Sequence, residues 1–217
     1  MPTIQAVAFD LDGLMFNTEE LYQHVGGVLL RRRGKEFTPE LLDQMMGRQA
    51  PVALQIMIDW HQLDATVDDL KRETMGVFEE ILDDRLRPMP GLVELLQFLD
   101  ENQIPRSVAT SSTRQFVDRV LSMYDWPGQF KFILAAEDVA HGKPHPEIYL
   151  RAAELFGVKP QQMLVLEDSQ NGCQAGVAAK ALTVAVPSGH SLTHNFTGAF
   201  AVAGSLADPK IYDLFKQ

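Results

Sequence analysis

Two aspartates, Asp10 and Asp12, follow a short apolar segment and precede a glycine. Residues two apart in extended backbone point the same way, so both carboxylates would crowd together at a strand end. This is costly unless a cation lies between them or one is protonated, and such oxygen ligands suit Mg²⁺. One interpretation is that one aspartate attacks phosphorus, the other transfers a proton and a metal ion screens the charge. The alternative is an ordinary acidic turn, because Asp and Gly both favour turns.

Three consecutive hydroxyl residues, Thr110, Ser111 and Ser112, lie between a predicted strand and a predicted helix. Hydroxyls and backbone N–H groups at a helix N-terminus form a natural site for an anion such as phosphate. Ser and Thr are also the commonest structural caps of helices. Taken alone, this segment favours the cap over the phosphate site.

Charged residues follow two further predicted strands. Lys143, between a glycine and a proline, could offset phosphate charge and keep a nucleophilic carboxylate ionised. Taken alone, an exposed loop lysine is the more common interpretation. Glu167 and Asp168 close another strand, where buried acidic groups need a partner, and a metal ion shared with Asp10 would supply one. The alternative for this pair is a second acidic turn.

The composition limits the classes of partner. The 217 residues are 46% hydrophobic, enough for a substantial core, and carry a net charge of −10. That charge argues against nucleic acid or an anionic membrane as a partner, although a local cation would still admit a small phosphorylated substrate. The single cysteine excludes an internal disulfide, and no apolar run approaches the roughly 20 residues of a membrane span. We therefore expect a cytoplasmic protein, with the oligomeric state open and a monomer favoured.

The segment 17–87 has helical apolar spacing throughout. Asn17 and Glu20 have the pattern of a capping box, which predicts that a helix begins there. Thr38, followed by proline, and Thr66 predict the starts of later helices. This part of the chain is therefore expected to be entirely helical.

From residue 88 onward, short apolar runs alternate with helical stretches, which indicates a parallel sheet covered on both faces. Together with the first strand, the predicted strands are Ser107–Ala109, Phe132–Ala136, Met163–Leu166, Leu182–Val186 and Phe200–Val202. The expected fold is α/β: a Rossmann-like parallel sheet flanked by helices, with a helical insert after its first strand. The predicted domains are an α/β core (1–16 and 88–217) and a helical domain (17–87). Ligands of such sheets bind at the carboxyl ends of the strands.

Four segments at these strand ends resemble the four motifs of the haloacid dehalogenase superfamily. They are Asp10-Leu11-Asp12-Gly13, Thr110 with Ser111, Lys143 in Gly-Lys-Pro, and Glu167-Asp168-Ser169-Gln170-Asn171-Gly172. The resemblance covers essentially the whole chain, and the helical segment looks like that superfamily's cap domain. Within the superfamily, the similarity is greatest to the branch of β-phosphoglucomutase-like phosphatases and hexose-phosphate mutases.

The resemblance implies roles for the acidic residues. Asp10 would attack phosphorus and become an aspartyl phosphate, and Asp12 would protonate the leaving oxygen and then activate water. Asp10, the backbone carbonyl of Asp12 and Asp168 would hold Mg²⁺, with Glu167 assisting.

The resemblance also implies roles in substrate binding. Thr110 and Lys143 would bind the transferring phosphoryl group, with the backbone N–H of Ser111 adding to this. The cap would close over the site, and Gly47 and Arg48 match its specificity loop. Arg48 would contact substrate, although a structural surface arginine is an equal alternative.

The resulting functional hypothesis is a Mg²⁺-dependent phosphatase of a small phosphorylated metabolite, expected to be a sugar phosphate. The alternative is a β-phosphoglucomutase-type mutase, but Tyr22 aligns where those mutases carry histidine, and Thr113-Arg114 replace their Lys-Asn. Asp12 argues against a dehalogenase, whose leaving group needs no proton. The intact motifs argue against a non-catalytic binding protein.

The sequence carries no zinc-binding pattern of paired cysteines or of His-Glu-x-x-His. The six histidines show no spacing typical of a metal site. Two of them, His141 and His145, flank Lys143 and are interpreted as surface loop residues.

Overall fold

The computed structural model describes residues 3–45, 50–124 and 126–216. The chain divides into two compact units, Asn17–Arg87 and the combination of Met1–Phe16 with Pro88–Gln217. Among the described residues, no helix has the length and hydropathy needed to cross a membrane.

The larger unit contains a six-stranded sheet in which every neighbouring pair is parallel. Its strands are β1 (Ala6–Phe9), β2 (Arg106–Ala109), β3 (Ile133–Leu134), β4 (Met163–Glu167), β5 (Leu182–Ala185) and β6 (Ala201–Val202), in the spatial order β3-β2-β1-β4-β5-β6. All residues of β1, β2 and β4 are buried, as expected for strands covered on both faces. The predicted parallel α/β sheet is therefore confirmed.

Each unit contains several of the described helices. The smaller unit contains α1 (Thr18–Arg31), α2 (Pro39–Met45), α3 (Ala50–His61) and α4 (Val67–Arg85). The larger unit contains α5 (Leu92–Glu101), α6 (Arg114–Ser122), α7 (Glu147–Phe156), α8 (Gln170–Ala178) and α9 (Pro209–Tyr212), with short 3₁₀ helices at Pro127–Gln129, Ala136–Asp138, Pro160–Gln162, Gly189–Thr193 and Asp213–Phe215.

One strand is shorter than the sequence predicts. The expected strand Phe132–Ala136 is reduced to β3, because the chain turns into a 3₁₀ helix at Ala136. The carboxylate of Asp138 accepts a hydrogen bond from the backbone N–H of Ala135 at 2.8 Å and pairs with Arg114. These local contacts stabilise the turn and end the strand.

The described part of the smaller unit consists of helices and connecting loops, as predicted, and it has its own apolar core. That core includes the buried residues Leu30, Leu41, Leu54, Met57 and Leu70. Helix α4 begins with the expected cap: Thr66 Oγ1 accepts from the N–H of Asp69, and the Asp69 carboxylate accepts from the N–H of Thr66, both at 3.1 Å. This reciprocal pair satisfies two backbone donors at the helix start.

The predicted capping box at Asn17 is wrong. The side chain of Asn17 makes no cap hydrogen bond to α1. Its Oδ1 accepts from the backbone N–H of Arg87 at 2.8 Å, and its Nδ2 donates to the carbonyl of Arg85 and to Glu20, both at 3.3 Å. Asn17 therefore joins the first and last residues of the smaller unit, because its amide satisfies both a donor and an acceptor of the returning chain.

Candidate active site

The site lies where β1, β2 and β4 end. Backbone hydrogen bonds continue the sheet one residue past two of these strands, from Asp10 N–H to the Leu166 carbonyl and from Thr110 N–H to the Leu134 carbonyl, each at 3.0 Å. These hydrogen bonds fix the backbone of Asp10 and Thr110 at the carboxyl edge of the sheet. Gly13, with φ +74°, allows the chain to turn immediately after the second aspartate.

The ammonium group of Lys143 lies at the centre of the site. Its Nζ donates to Asp10 Oδ1 at 2.5 Å, to Glu167 Oε1 at 2.6 Å and to the Ala109 carbonyl at 2.9 Å. The lysine side chain is only 6% exposed. Lys143 is therefore a buried cation and not an exposed loop lysine, and these three contacts fix where its charge lies.

The carboxylate of Asp12 is held by hydroxyls from the end of β2. Ser112 Oγ donates to Asp12 Oδ2 at 2.5 Å, and Thr110 Oγ1 lies 3.3 Å from the same oxygen. The backbone N–H of Ser112 donates in turn to Thr110 Oγ1 at 3.0 Å. Asp12 Oδ1 is buried without a hydrogen-bond partner among the described residues, which leaves that oxygen available to a bound group.

The hydroxyl that caps helix α6 is not one of the hydroxyls that contact Asp12. Helix α6 is capped by Thr113, whose Oγ1 accepts from the N–H of Phe116 at 3.4 Å. The interpretation of Thr110 as a helix cap is therefore wrong. Ser111 is exposed, and the role of its backbone N–H stays a prediction.

Three buried carboxylates form the acidic part of the site. Asp10, Glu167 and Asp168 are 6%, 0% and 2% exposed, and each offers an oxygen within 4.8 Å of the others. Hard carboxylate oxygens in a compact group are the donors that Mg²⁺ prefers. With Asp12 the site holds four carboxyl groups against one lysine, so a divalent cation would balance the charge. The residues present therefore fit a Mg²⁺ ion.

Burial and crowding shift the pKa values of this site. Burial raises the pKa of Asp10 well above its ordinary range, and Glu167 and Asp12 raise it further, although Lys143 acts in the opposite direction. Burial alone would lower the pKa of Lys143, but Asp10 and Glu167 outweigh it and hold that pKa above its usual value. Lys143 is therefore charged, and a second cation near Asp10 would favour its ionised form.

The sequence did not single out two residues of the site. The hydroxyl of Tyr149, which is fully buried, donates to Glu167 Oε1 at 2.6 Å, and burial raises its pKa well above the ordinary value. The sequence marks Ser112 only as the last of three consecutive hydroxyl residues, and does not indicate its contact with Asp12. Tyr149 lies on the buried, mainly apolar side of α7, so the sequence gives no sign of its polar contact.

Gly47 and Arg48, predicted to contact substrate, lie outside the described residues.

A glycine makes room for the Glu167 carboxylate. A Cβ at Gly172, near the start of α8, would lie 1.8 Å from Glu167 Oε1 and 1.9 Å from its Cδ. The second carboxylate oxygen accepts from Ser169 Oγ at 3.1 Å. Glu167 is therefore fixed by close packing as well as by its hydrogen bonds.

Comparison with known proteins identifies the family. The haloacid dehalogenase-like hydrolase family matches residues 7–186, more than half of the chain, and the chain belongs to this family. The chain is 34% identical to the Drosophila melanogaster protein named "Probable pseudouridine-5′-phosphatase" over 208 residues, 93% of this chain and 90% of that protein. The expected family and enzyme class, a phosphoric monoester hydrolase, are confirmed.

A second relative and a solved structure agree with this assignment. The chain is 30% identical over 206 residues to the bifunctional riboflavin kinase/FMN phosphatase of Arabidopsis thaliana; the match includes 94% of this chain but only 54% of that protein. A mutant of CbbY from Rhodobacter sphaeroides, solved in complex with xylulose-(1,5)bisphosphate, superimposes with a TM-score of 0.79 at 25% identity, covering 94% of this chain and 96% of that one.

Proposed function

We propose that this protein is a Mg²⁺-dependent phosphatase of a small phosphorylated metabolite, of the sugar phosphate class. One observation carries the proposal. At the carboxyl ends of three strands, the ammonium group of Lys143 contacts the Asp10 carboxylate, and a second aspartate, Asp12, is held beside it by Ser112. This arrangement pairs a candidate nucleophile with a separate candidate acid and base. The relatives named above are a probable pseudouridine-5′-phosphatase and a bifunctional riboflavin kinase/FMN phosphatase, and the CbbY complex holds xylulose-(1,5)bisphosphate. All three compounds carry phosphate on a polyhydroxylated carbon chain.

In the proposed reaction, Asp10 attacks phosphorus through a carboxylate oxygen and the substrate oxygen leaves. Asp12 gives its proton to that oxygen, and then removes a proton from the water that releases phosphate from Asp10. A carboxyl that must act in both protonation states needs a defined position, and Ser112 supplies it by donating to Asp12 Oδ2 at 2.5 Å. The longer contact of Thr110 with the same oxygen, at 3.3 Å, would be exchanged for one with the phosphoryl group.

Cationic and hydroxyl groups support the transferring phosphoryl group. Lys143 would offset its negative charge, and Thr110 would donate a hydrogen bond. Asp10, Asp168 and the backbone carbonyl of Asp12 would hold Mg²⁺, with Glu167 assisting through its contact with Lys143. When bound, the ion would reduce the repulsion between the attacking carboxylate and the phosphate.

We propose that the helical unit, residues 17–87, serves as the cap domain that selects the leaving group, with the larger unit as the catalytic core. Tyr22 belongs to this helical unit and packs against Phe78 with ring centroids 4.8 Å apart. The phenol of Tyr22 therefore stands where a mutase is expected to carry an imidazole. This supports transfer of the phosphoryl group to water, as in a phosphatase, over its transfer back to the sugar, as in a mutase.

Phosphate release from a panel of sugar phosphates, including β-glucose 1-phosphate, tests the proposal, with product isomers followed by ³¹P NMR. We expect free phosphate that depends on Mg²⁺, stops with chelator and is lost in Asp10→Asn. Conversion of glucose 1-phosphate to the 6-phosphate with little free phosphate would instead make the protein a mutase. Absence of any turnover by the folded, Mg²⁺-loaded protein would contradict both.

A further inference from the structure

A second group of potential metal ligands flanks Lys143 in the chain. His141, His145 and Glu147 each offer a ligand atom, and these atoms all lie within 4.8 Å of one another. The two histidines belong to the loop before α7, and Glu147 is the first residue of that helix. None of the three takes part in the chemistry proposed above.

The distances from Glu147 to the two imidazoles are close to those between ligands of one metal ion. His141 Nδ1 lies 2.9 Å from Glu147 Oε2, and His145 Nδ1 lies 3.8 Å from the same oxygen. Zn²⁺ binds nitrogen and oxygen ligands tetrahedrally at about 2.0–2.1 Å, which places two ligand atoms about 3.3 Å apart. The two observed distances fall on either side of this value, so small rotations of the two exposed histidine side chains would bring both to it.

The carboxylate of this group is already positioned. Glu147 Oε1 accepts from the backbone N–H of Ala140 at 2.8 Å, and Oε2 accepts from the N–H of His141 at 3.0 Å. Each carboxylate oxygen can accept more than one bond, so capacity remains for a metal ion. The side chains of His141 and His145 are 67% and 51% exposed, so an ion can reach them from solvent.

We propose that His141, His145 and Glu147 form a second metal site, separate from the acidic Mg²⁺ site, that binds a Zn²⁺-type ion. Two imidazoles and one carboxylate favour borderline transition metals, whereas Mg²⁺ prefers oxygen ligands. The neutral rings would bind through Nδ1 and carry their proton on Nε2. The ion would therefore take the place of the hydrogen bond that His145 Nδ1 accepts from the N–H of Glu147 at 3.3 Å, and of the direct contact between His141 Nδ1 and Glu147 Oε2 at 2.9 Å. Three protein ligands leave a fourth position for water.

The site would connect both ends of the loop that carries the active-site lysine. His141 and His145 lie two residues before and after Lys143, and the N–H of His145 donates to the Gly142 carbonyl at 3.0 Å. A bound ion would therefore fix this loop to the start of α7. The inference does not depend on which phosphate ester the enzyme hydrolyses.

Isothermal titration of the tag-free, Mg²⁺-saturated protein with ZnCl₂ tests the site. We expect one equivalent to bind, and either His141→Ala or His145→Ala to weaken binding at least about tenfold, since partners outside the ligand set already change metal affinity by 10–100-fold. The double variant H190A/H194A is the matched control, because those two imidazole rings also contact each other, edge to face, with centroids 5.6 Å apart. It should bind Zn²⁺ as the wild type does.

NMR of the imidazole nitrogens locates the ion independently of affinity. We expect Zn²⁺ to shift the ring nitrogens of His141 and His145 and to leave those of the other four histidines in place. No Zn²⁺ binding by the Mg²⁺-saturated wild type would overturn the proposal, as would equal affinity in wild type, H141A and H145A. Shifts confined to other histidines would also overturn it.

Discussion

At the residue scale, Lys143 is the only cation among the described residues that contacts the Asp10 and Glu167 carboxylates. Replacing it by methionine, Lys143→Met, removes a buried charge aimed at the phosphoryl group. We expect kcat to fall about 10²–10³-fold, the usual cost of losing one electrostatic donor. Steady-state kinetics at saturating Mg²⁺ measures this effect. A kcat within a factor of two of the wild-type value, in protein of native circular dichroism, would contradict the role of Lys143.

Ser112 and Thr113 are adjacent hydroxyls with different tasks. Ser112 contacts Asp12, so Ser112→Ala should lower kcat by about tenfold, the equivalent of one hydrogen bond to a charged group. Thr113 caps α6, so Thr113→Ala should cost about 1 kcal/mol of unfolding free energy and leave kcat unchanged. Kinetics and urea unfolding of both variants separate the two roles. The reverse pattern would show that the site and cap hydroxyls have been misassigned.

The residues that the sequence identifies carry charges in motifs that follow strands, whereas those that it misses are recognisable only from their contacts in the fold. Asp10 and Asp168 could be predicted because each charge lies at the end of an apolar strand, and Lys143 because its Gly-Lys-Pro segment follows a predicted strand and a loop. Tyr149 could not, since it lies among apolar residues of α7 and nothing local marks its hydrogen bond to Glu167. Asn17 was misread because its local pattern is that of a cap, whereas its partners lie about 70 positions along the chain.

At the element scale, the start of α8 is packed directly against the Glu167 carboxylate. Gly172→Ala would place a Cβ within 2 Å of that group, so Glu167 or the helix must move. We expect kcat to fall by at least about tenfold, because a displaced Glu167 releases its contact with Lys143. Gly76→Ala, where nothing lies within 4 Å of the added atom, is the control and should keep wild-type kcat. Equal activity of the two variants would contradict the packing role of Gly172.

A two-bond ion pair joins the turn that follows α1 to helix α4. Arg33 donates to both carboxylate oxygens of Glu73, at 2.5 and 3.0 Å, and these contacts lower the pKa of Glu73. Because the folded-state pKa is depressed, the stabilisation is complete above the unfolded-state pKa and is lost as pH falls through the folded-state pKa. Both side chains are partly exposed, so we expect less than about 1 kcal/mol at pH 7.

Urea unfolding of wild type and Glu73→Gln at several pH values measures this contribution. The difference in unfolding free energy should be largest near neutral pH and should shrink as the solution is acidified below the ordinary range for Glu. A difference that is constant with pH would show that the ionised pair contributes nothing.

At the scale of the whole molecule, the sheet could be predicted because short, mainly apolar runs alternate with helical stretches, although the buried strand β2 begins with Arg106 and Ser107. The order of those strands could be predicted only in part. The motifs indicate which strands end next to one another at the site, but β3 and β6 are two residues long and contain no site residue. The division into an α/β unit and a helical unit follows the change from helical to alternating spacing near residue 88.

If the acidic group binds Mg²⁺ as proposed, the stability of the larger unit should depend on this ion. Mg²⁺ that binds only the folded chain should stabilise it by about 2.7 kcal/mol at one hundred times the dissociation constant. Differential scanning calorimetry should show a rise in Tm with Mg²⁺ in the wild type and a much smaller rise in Asp168→Asn. An unchanged Tm in the wild type over millimolar Mg²⁺ would contradict metal binding at the acidic group.

The most direct test of the central claim is detection of a phosphoryl group on Asp10. The enzyme is quenched with acid during turnover with Mg²⁺ and a hydrolysed sugar phosphate, reduced with borohydride, and analysed by peptide mass spectrometry. We predict reduction of Asp10 itself, the mark of an acyl phosphate at that carboxylate, and no such product in Asp10→Asn. A phosphoryl group found on another residue during turnover would contradict the account.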